Sequence, residues 1–213
     1  MAKVKSGLGV GLSGKFAGIV YTQQPDGSTS ASEPATPTTK PLSLAQLSIL
    51  MDTCISSAFV KPIPYFIKVG FGLETSPGKN ANNIAVPYLR KNALTGVYPD
   101  RRIDYAKVLL TRGKMPSPKN ATVTVNELGF SFTWDTSVED PRTHYSDQVM
   151  LMAYFTKIKE AVYVTGGAQR GRGADLLVPN GIKRGTTAEI YISFIADDRT
   201  SISNSVHLGQ VNW

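Results

Sequence analysis

The chain has 213 residues, 41% of them hydrophobic and 18% charged, with a net charge of +7 from 23 Lys and Arg against 16 Asp and Glu. That length holds one ample core or two small ones, in a globular protein slightly poor in charge. A single cysteine excludes a disulfide framework and a thiolate metal cluster, and no run approaches the ~18 apolar residues that span a bilayer.

Residues 1–41 form the first segment. Gly7, Gly9, Gly11, Gly14 and Gly18 are followed by a hairpin-turn signal at Pro25-Asp26-Gly27 and then by a Ser/Thr/Pro tract. Leu8, Val10, Leu12, Phe16, Ile19, Val20 and Tyr21 are too thinly spread to close a core of their own, and glycine-rich backbone is costly to order. The segment therefore reads as an extended arm that settles on another surface, with a neighbouring subunit as the natural candidate. Lys15, Phe16, Ile19, Val20 and Tyr21 are its expected contact residues. Lys3 and Lys5 imitate the start of a secretory signal, but Ser6, Ser13 and Lys15 break up the apolar residues beyond them, so synthesis in the cytoplasm without general export is expected.

The same segment carries Gly9-Val10-Gly11-Leu12-Ser13-Gly14-Lys15, the spacing of a phosphate-binding loop. A Ser or Thr should come next to hold magnesium, and Phe16 stands there instead. No buried strand precedes the motif and no alternating α/β pattern succeeds it. Nucleotide hydrolysis is not the reading these residues support.

Residues 42–102 read as a helical segment. Ser43 and Gln46 stand at capping-box spacing, and Leu44, Leu47, Met51, Cys54 and Ala58 run in a 3-4-3-4 rhythm that predicts the buried face, widened by Leu50 and Ile55. Cys54 is expected to be a small buried hydrophobe. Pro62 and Pro64 predict the helix end near Val60, and Tyr65–Phe71 reads as a short strand or extended connector. A second helix is predicted over 80–92, with Ile84, Tyr88 and Leu89 inward and a kink at Pro87.

From Ile103 the pattern has period two. Strands are predicted at 105–110, 121–125, 130–134, 149–155, 161–164, 175–178, 189–195 and 206–211, separated by turn signals such as Pro179-Asn180-Gly181. Residues 103–213 therefore predict an antiparallel sandwich of immunoglobulin or fibronectin-III type, with Trp134 plugging the core between the sheets. The fold class is mainly β within α+β: sandwich, one or two helices and an extended N-terminal arm.

Catalytic patterns are absent. His144 lies in a polar loop and His207 in a predicted strand, with no nucleophile elbow, no Cys/His signature and no metal-ligand spacing. Asp197-Asp198-Arg199 reads as a polar turn. Basic residues come in pairs, Arg101 with Arg102, Arg170 with Arg172, and Lys183 with Arg184. The stretch Gly166–Gly173 reads as a flexible basic loop suited to a phosphate backbone or a subunit contact.

Several landmarks together resemble a family of proteins, assigned as a domain of unknown function, from Bacteroidota bacteria and their phages. They are Gly9–Lys15 with Phe16–Val20, Asn92–Asp100, Ile103–Val108, Phe132–Trp134, Asp147–Met150 and Phe194–Ser205. The tract Gln23–Pro34 departs from the family pattern, in which a Trp and basic residues often sit. The resemblance brings no catalytic residues and no cofactor, and its phage setting implies a virion or tail role. The function expected is thus a non-enzymatic structural subunit, homo-oligomeric and in contact with other structural subunits, in a virion or the cytoplasm. DNA is a weaker partner reading, and a β-sandwich module binding nucleic acid or a surface ligand is the alternative.

Overall fold

The computed structural model describes residues 2–4, 10–24, 26–37 and 40–213 of the chain; Gly7, Leu8, Gly9 and Pro25 lie outside the described residues. The chain divides into two compact units, residues 1–43 with 76–80, and residues 44–75 with 81–213.

The smaller unit contains β1 (Ala2–Val4), β2 (Gly14–Phe16), β3 (Ile19–Gln23) and β4 (Thr29–Ser32), an antiparallel sheet in the order β1-β4-β3-β2. Ala17 and Gly18, with φ of 49° and 77°, supply the two positive-φ residues of the tight turn between β2 and β3. The expected turn at Asp26-Gly27 joins β3 to β4: Ser28 N–H donates to Asp26 Oδ1 at 3.0 Å, and Gly27 takes φ 79°.

The larger unit is layered, with helices on a four-stranded sheet and a second sheet on its far face. Its helices are α1 (Leu44–Val60), α2 (Pro64–Gly70) and α3 (Ala81–Asn92), followed by the short antiparallel pair β5 (Leu94–Thr95) and β6 (Arg102–Ile103). The remaining strands are β7 (Thr122–Val125), β8 (Phe130–Thr133), β9 (Gln148–Phe155), β10 (Glu160–Val164), β11 (Ala174–Leu177), β12 (Thr187–Ile195) and β13 (Val206–Asn212). They form an antiparallel sheet β10-β9-β12-β13 and a second one β11-β8-β7.

Two cores result from one alternation. Met150, Met152 and Tyr154 of β9, with Tyr191 and Ile195 of β12, pack against Phe59, Val60, Phe66, Ile67, Ile84 and Leu89 of the helices. The intervening residues Val149, Leu151, Ala153, Phe155, Ile190, Ile192 and Phe194 pack against Phe130, Phe132 and Trp134 of the second sheet. The Trp134 indole lies between the sheets as expected. Its Nε1–H donates to the Arg170 carbonyl at 2.8 Å, and its ring meets Phe194 edge-on at 5.7 Å.

Three local expectations are corrected. Tyr65–Phe71 is helical, because Pro64 serves as the first residue of α2 and Phe66, Ile67 and Gly70 line up on one buried face. The span 105–110 is a one-turn 3-10 helix (Tyr105–Lys107) and then irregular chain. Its polar groups bond outside any ladder, as where Leu110 N–H donates to Ser205 Oγ at 2.8 Å. In α1 the buried residues are Asp52, Ser56, Phe59 and Val60, whereas Leu44, Leu50, Cys54 and Ala58 are exposed. The helix is apolar around most of its circumference, so periodicity alone selects the wrong face. α3, by contrast, matches its prediction, with Pro87 inside it and Ile84 and Leu89 buried, Tyr88 being half-buried.

Ser193 faces the helix layer with a fully buried hydroxyl that has no protein hydrogen-bond partner. Ser193→Ala removes an uncompensated polar group and is expected to be neutral or to raise the denaturation midpoint; a loss above about 1 kcal/mol in urea unfolding would contradict this. Burial pushes the Tyr154 phenol up from 10.0 to about 12, with Tyr105 adding to the shift. The unfolded phenol ionises first, so the contribution is complete below pH 10 and is withdrawn as pH rises towards 12. The melting temperature should fall across that window, less steeply in Tyr154→Phe; equal slopes would refute the assignment.

Candidate functional site

In the smaller unit, the apolar residues whose burial is described are all exposed or half-buried. Among its described residues only Thr29 and Ser30 are buried, both polar. Phe16 is 72% exposed, and Val10, Leu12 and Ile19 are exposed as well, while Val20 and Tyr21 are half-buried. Lys15 is exposed on β2 and pairs in register with Val20 across the hairpin. The expected contact residues are therefore brought together on β2 and β3. A small sheet gains little stability in water from apolar side chains that stay exposed, as Phe16 and Ile19 do.

The phosphate-loop motif takes no such form here. Gly14–Phe16 is a strand rather than the start of a helix, and the Gly11 N–H, ahead of that strand, donates to the Thr29 side-chain Oγ1 on β4 at 3.0 Å. Gly9 lies outside the described residues. The backbone donors that would cradle a phosphate are thus spent, in part, on strand pairing.

The paired basic residues sit on separate elements. Arg101 is tied inward: its Nε lies 2.9 Å from Asp52 Oδ1 and its Nη1 donates to the Gly96 carbonyl at 2.7 Å. Arg102 is exposed on β6. Lys183 is exposed, and Arg184 stacks over the Trp213 ring at 4.6 Å while donating to the Glu127 carbonyl at 2.7 Å.

Arg170 is 4% exposed. Its guanidinium stacks on Phe194 at 3.8 Å from the ring centre, and its Nε lies 3.2 Å from Asp147 Oδ2. Burial lowers the Arg170 pKa, and the Asp147 carboxylate raises it again. The neighbouring loop is pinned rather than flexible. Arg170 N–H donates to the Asp147 carbonyl, Ala168 N–H to Asp175 Oδ2 and Gly171 N–H to the Tyr145 carbonyl. A Cβ at Gly167 would collide with the Asp175 carboxylate, so only glycine lets the loop lie this close. Arg172 alone of this pair is exposed.

The remaining candidate residues are each placed among the described residues. His144 is exposed beside Ser146, and His207 pairs with Glu189 at 2.7 Å on neighbouring strands. Asp198 accepts from Thr200 N–H, forming the expected polar turn. Among the described residues no group of three or more His, Cys, Asp or Glu is placed to hold a metal ion, and no helix is long and apolar enough to cross a membrane. The hollow beside Arg170, lined by Asp135, Glu139 and Asp140, offers about 20 Å³, room for a water.

The fold and its surfaces define a β-rich α+β protein with exposed apolar residues on the first segment, Phe16 foremost. The chain belongs to a family of unknown function, DUF6266, whose profile matches residues 5–209. No curated protein matches the sequence.

The buried pair gives a test of role. Arg170→Ala leaves Asp147 buried and unpaired and is expected to cost about 3–5 kcal/mol in denaturant unfolding, whereas Arg172→Ala should stay within about 0.5 kcal/mol. Comparable small losses in both would show the Arg170 pair to be dispensable to the fold.

Proposed function

We propose that the protein is a non-enzymatic structural subunit of a multi-subunit assembly, most simply a phage virion or tail component, that associates through its first forty residues. The observation that carries the reading is the exposure of Phe16, 72%, and Ile19, 37%, on the strands β2 and β3 of the small sheet β1-β4-β3-β2. A surface from a neighbouring subunit would bury Phe16 and Ile19 and stabilise the sheet through that apolar contact. The phage setting rests on the family resemblance alone. The sheets β10-β9-β12-β13 and β11-β8-β7 are read as a sandwich of immunoglobulin or fibronectin-III type, supported by their shared core around Trp134. A nucleic-acid module draws little support, since Arg170 and Arg101 are committed to Asp147 and Asp52.

Phe16→Asp in the full chain is the direct test. Light scattering should show wild-type protein at a multiple of the 23.0 kDa chain mass and the variant mostly at a lower multiple, with an unchanged melting temperature. Identical masses for the two would refute assembly through this sheet.

A further inference from the structure

Helix α1 is turned inside out. Its only charged residue, Asp52, is buried and paired with Arg101, while Leu44, Ile49 and Leu50 are 74%, 55% and 50% exposed. Leu44, Leu47, Met51, Cys54 and Ala58 recur at alternating steps of three and four, the spacing of a two-helix seam. In this structure Leu44, Cys54 and Ala58 are exposed and Leu47 and Met51 half-buried, so the seam is uncovered. The monomer core uses a different stripe, Ser56, Phe59 and Val60. The seam extends sideways into an open hollow of about 540 Å³ between Leu44, Ser48 and the segment 96–99, where Val97 is 80% exposed.

We infer that this stripe is a helix–helix contact with α1 of a second copy of the same chain. The charge pattern selects that occupant. The flanking positions Ser48, Leu50, Ile55 and Ser57 carry no charge, so a partner helix with ionic flanks would find nothing to pair with. An identical helix brings an equally neutral surface, with no like-charge repulsion, and a two-fold contact needs one self-complementary patch. A 3-4-3-4 stripe also offers holes matched to its own knobs. This contact is separate from the Phe16 surface and goes beyond the arm-based reading.

Cys54, the only cysteine, reports on the seam. In a parallel pair the two thiols meet at one level. In an antiparallel pair Leu44 and Leu47 lie across from Cys54 and Met51, leaving the thiols about 15 Å apart along the axis, ten residues at about 1.5 Å each. A bismaleimide of that span joins Cys54 to Cys54 in either case. Applied to the full-length protein, it should give a covalent dimer as the main product. Leu50→Glu or Ala58→Glu should cut that product at least tenfold while keeping the wild-type melting temperature. Phe16→Asp should leave it in place, which separates this contact from the first. Three results would overturn the inference. One is Cys54 labelling by a monofunctional maleimide at a free-thiol rate with no cross-link. The second is unchanged cross-linking in both glutamate variants. The third is a single-chain mass with Cys54 unreactive, which would mean that the chain's own residues cover the seam.

Discussion

Burial of the strand pair β9–β12 on both faces is the constraint on which the larger unit depends. Every residue from Val149 to Phe155 and from Ala188 to Ile195 is buried, so each successive side chain must suit the opposite layer. A slip of one residue in this register would send Tyr154 and Tyr191 towards the second sheet and the smaller Ala153 and Ile190 towards the helices. Tyr191 tolerates burial because its polar end is placed, its OH donating to the Tyr105 carbonyl at 2.7 Å, while the Tyr105 and Tyr154 rings pack at tilted angles against Phe59 and each other. Loops that approach this sheet are correspondingly restricted. At Gly113 a Cβ would strike the Ile202 carbonyl, and at Gly70 the Leu110 carbonyl.

Polar residues that look chemical in the sequence mostly serve this packing. Arg170 lies flat on Phe194 and its carbonyl receives the Trp134 indole, so one residue fixes a loop, a strand end and an aromatic core together. Asp147 then neutralises it and also accepts from His144 N–H at 2.8 Å. Glu189 accepts from both His207 and Gln210, holding β13 to β12 beside a register shift between Ile190 and Tyr191. Such groups, once bonded, have few donors or acceptors left for a ligand.

The strands are legible in the sequence because period two survives even where both faces are buried: large side chains simply fill both sets. That same doubling hides the third layer, since a strand such as Gln148–Phe155 reads equally as part of a two-layer sandwich or as the centre of three layers. α2 escapes the pattern because Pro64 ends one helix in sequence and begins another in space. The face of α1 misleads for a different reason. Its core contacts use Ser56 and Asp52, which no hydrophobic pattern selects, while its strongest apolar stripe points elsewhere. The apolar residues of the arm are plain in the sequence, but the sheet they join is not, because its strands are only three to five residues long, too short for a period of two to show. Arg170 gives no sequence sign of burial. Only Asp147 and Phe194, 23 and 24 residues away on either side, define its place.

The two open surfaces reflect one shortage. The short strands β2 and β3 leave Phe16 and Ile19 exposed, and a helix that spends its inward face on Asp52 and Ser56 leaves Leu44 and Leu50 exposed. Each loses the stabilisation of about 25 cal/mol per Å² that covering apolar area supplies. In a chain acting alone, selection for solubility would favour charges at Phe16, Ile49 or Leu50, where nothing in the fold demands an apolar side chain. Apolar residues at positions with no internal partner are best accounted for by an external one, and the uncharged character of the helix stripe makes a second copy the simplest partner to satisfy.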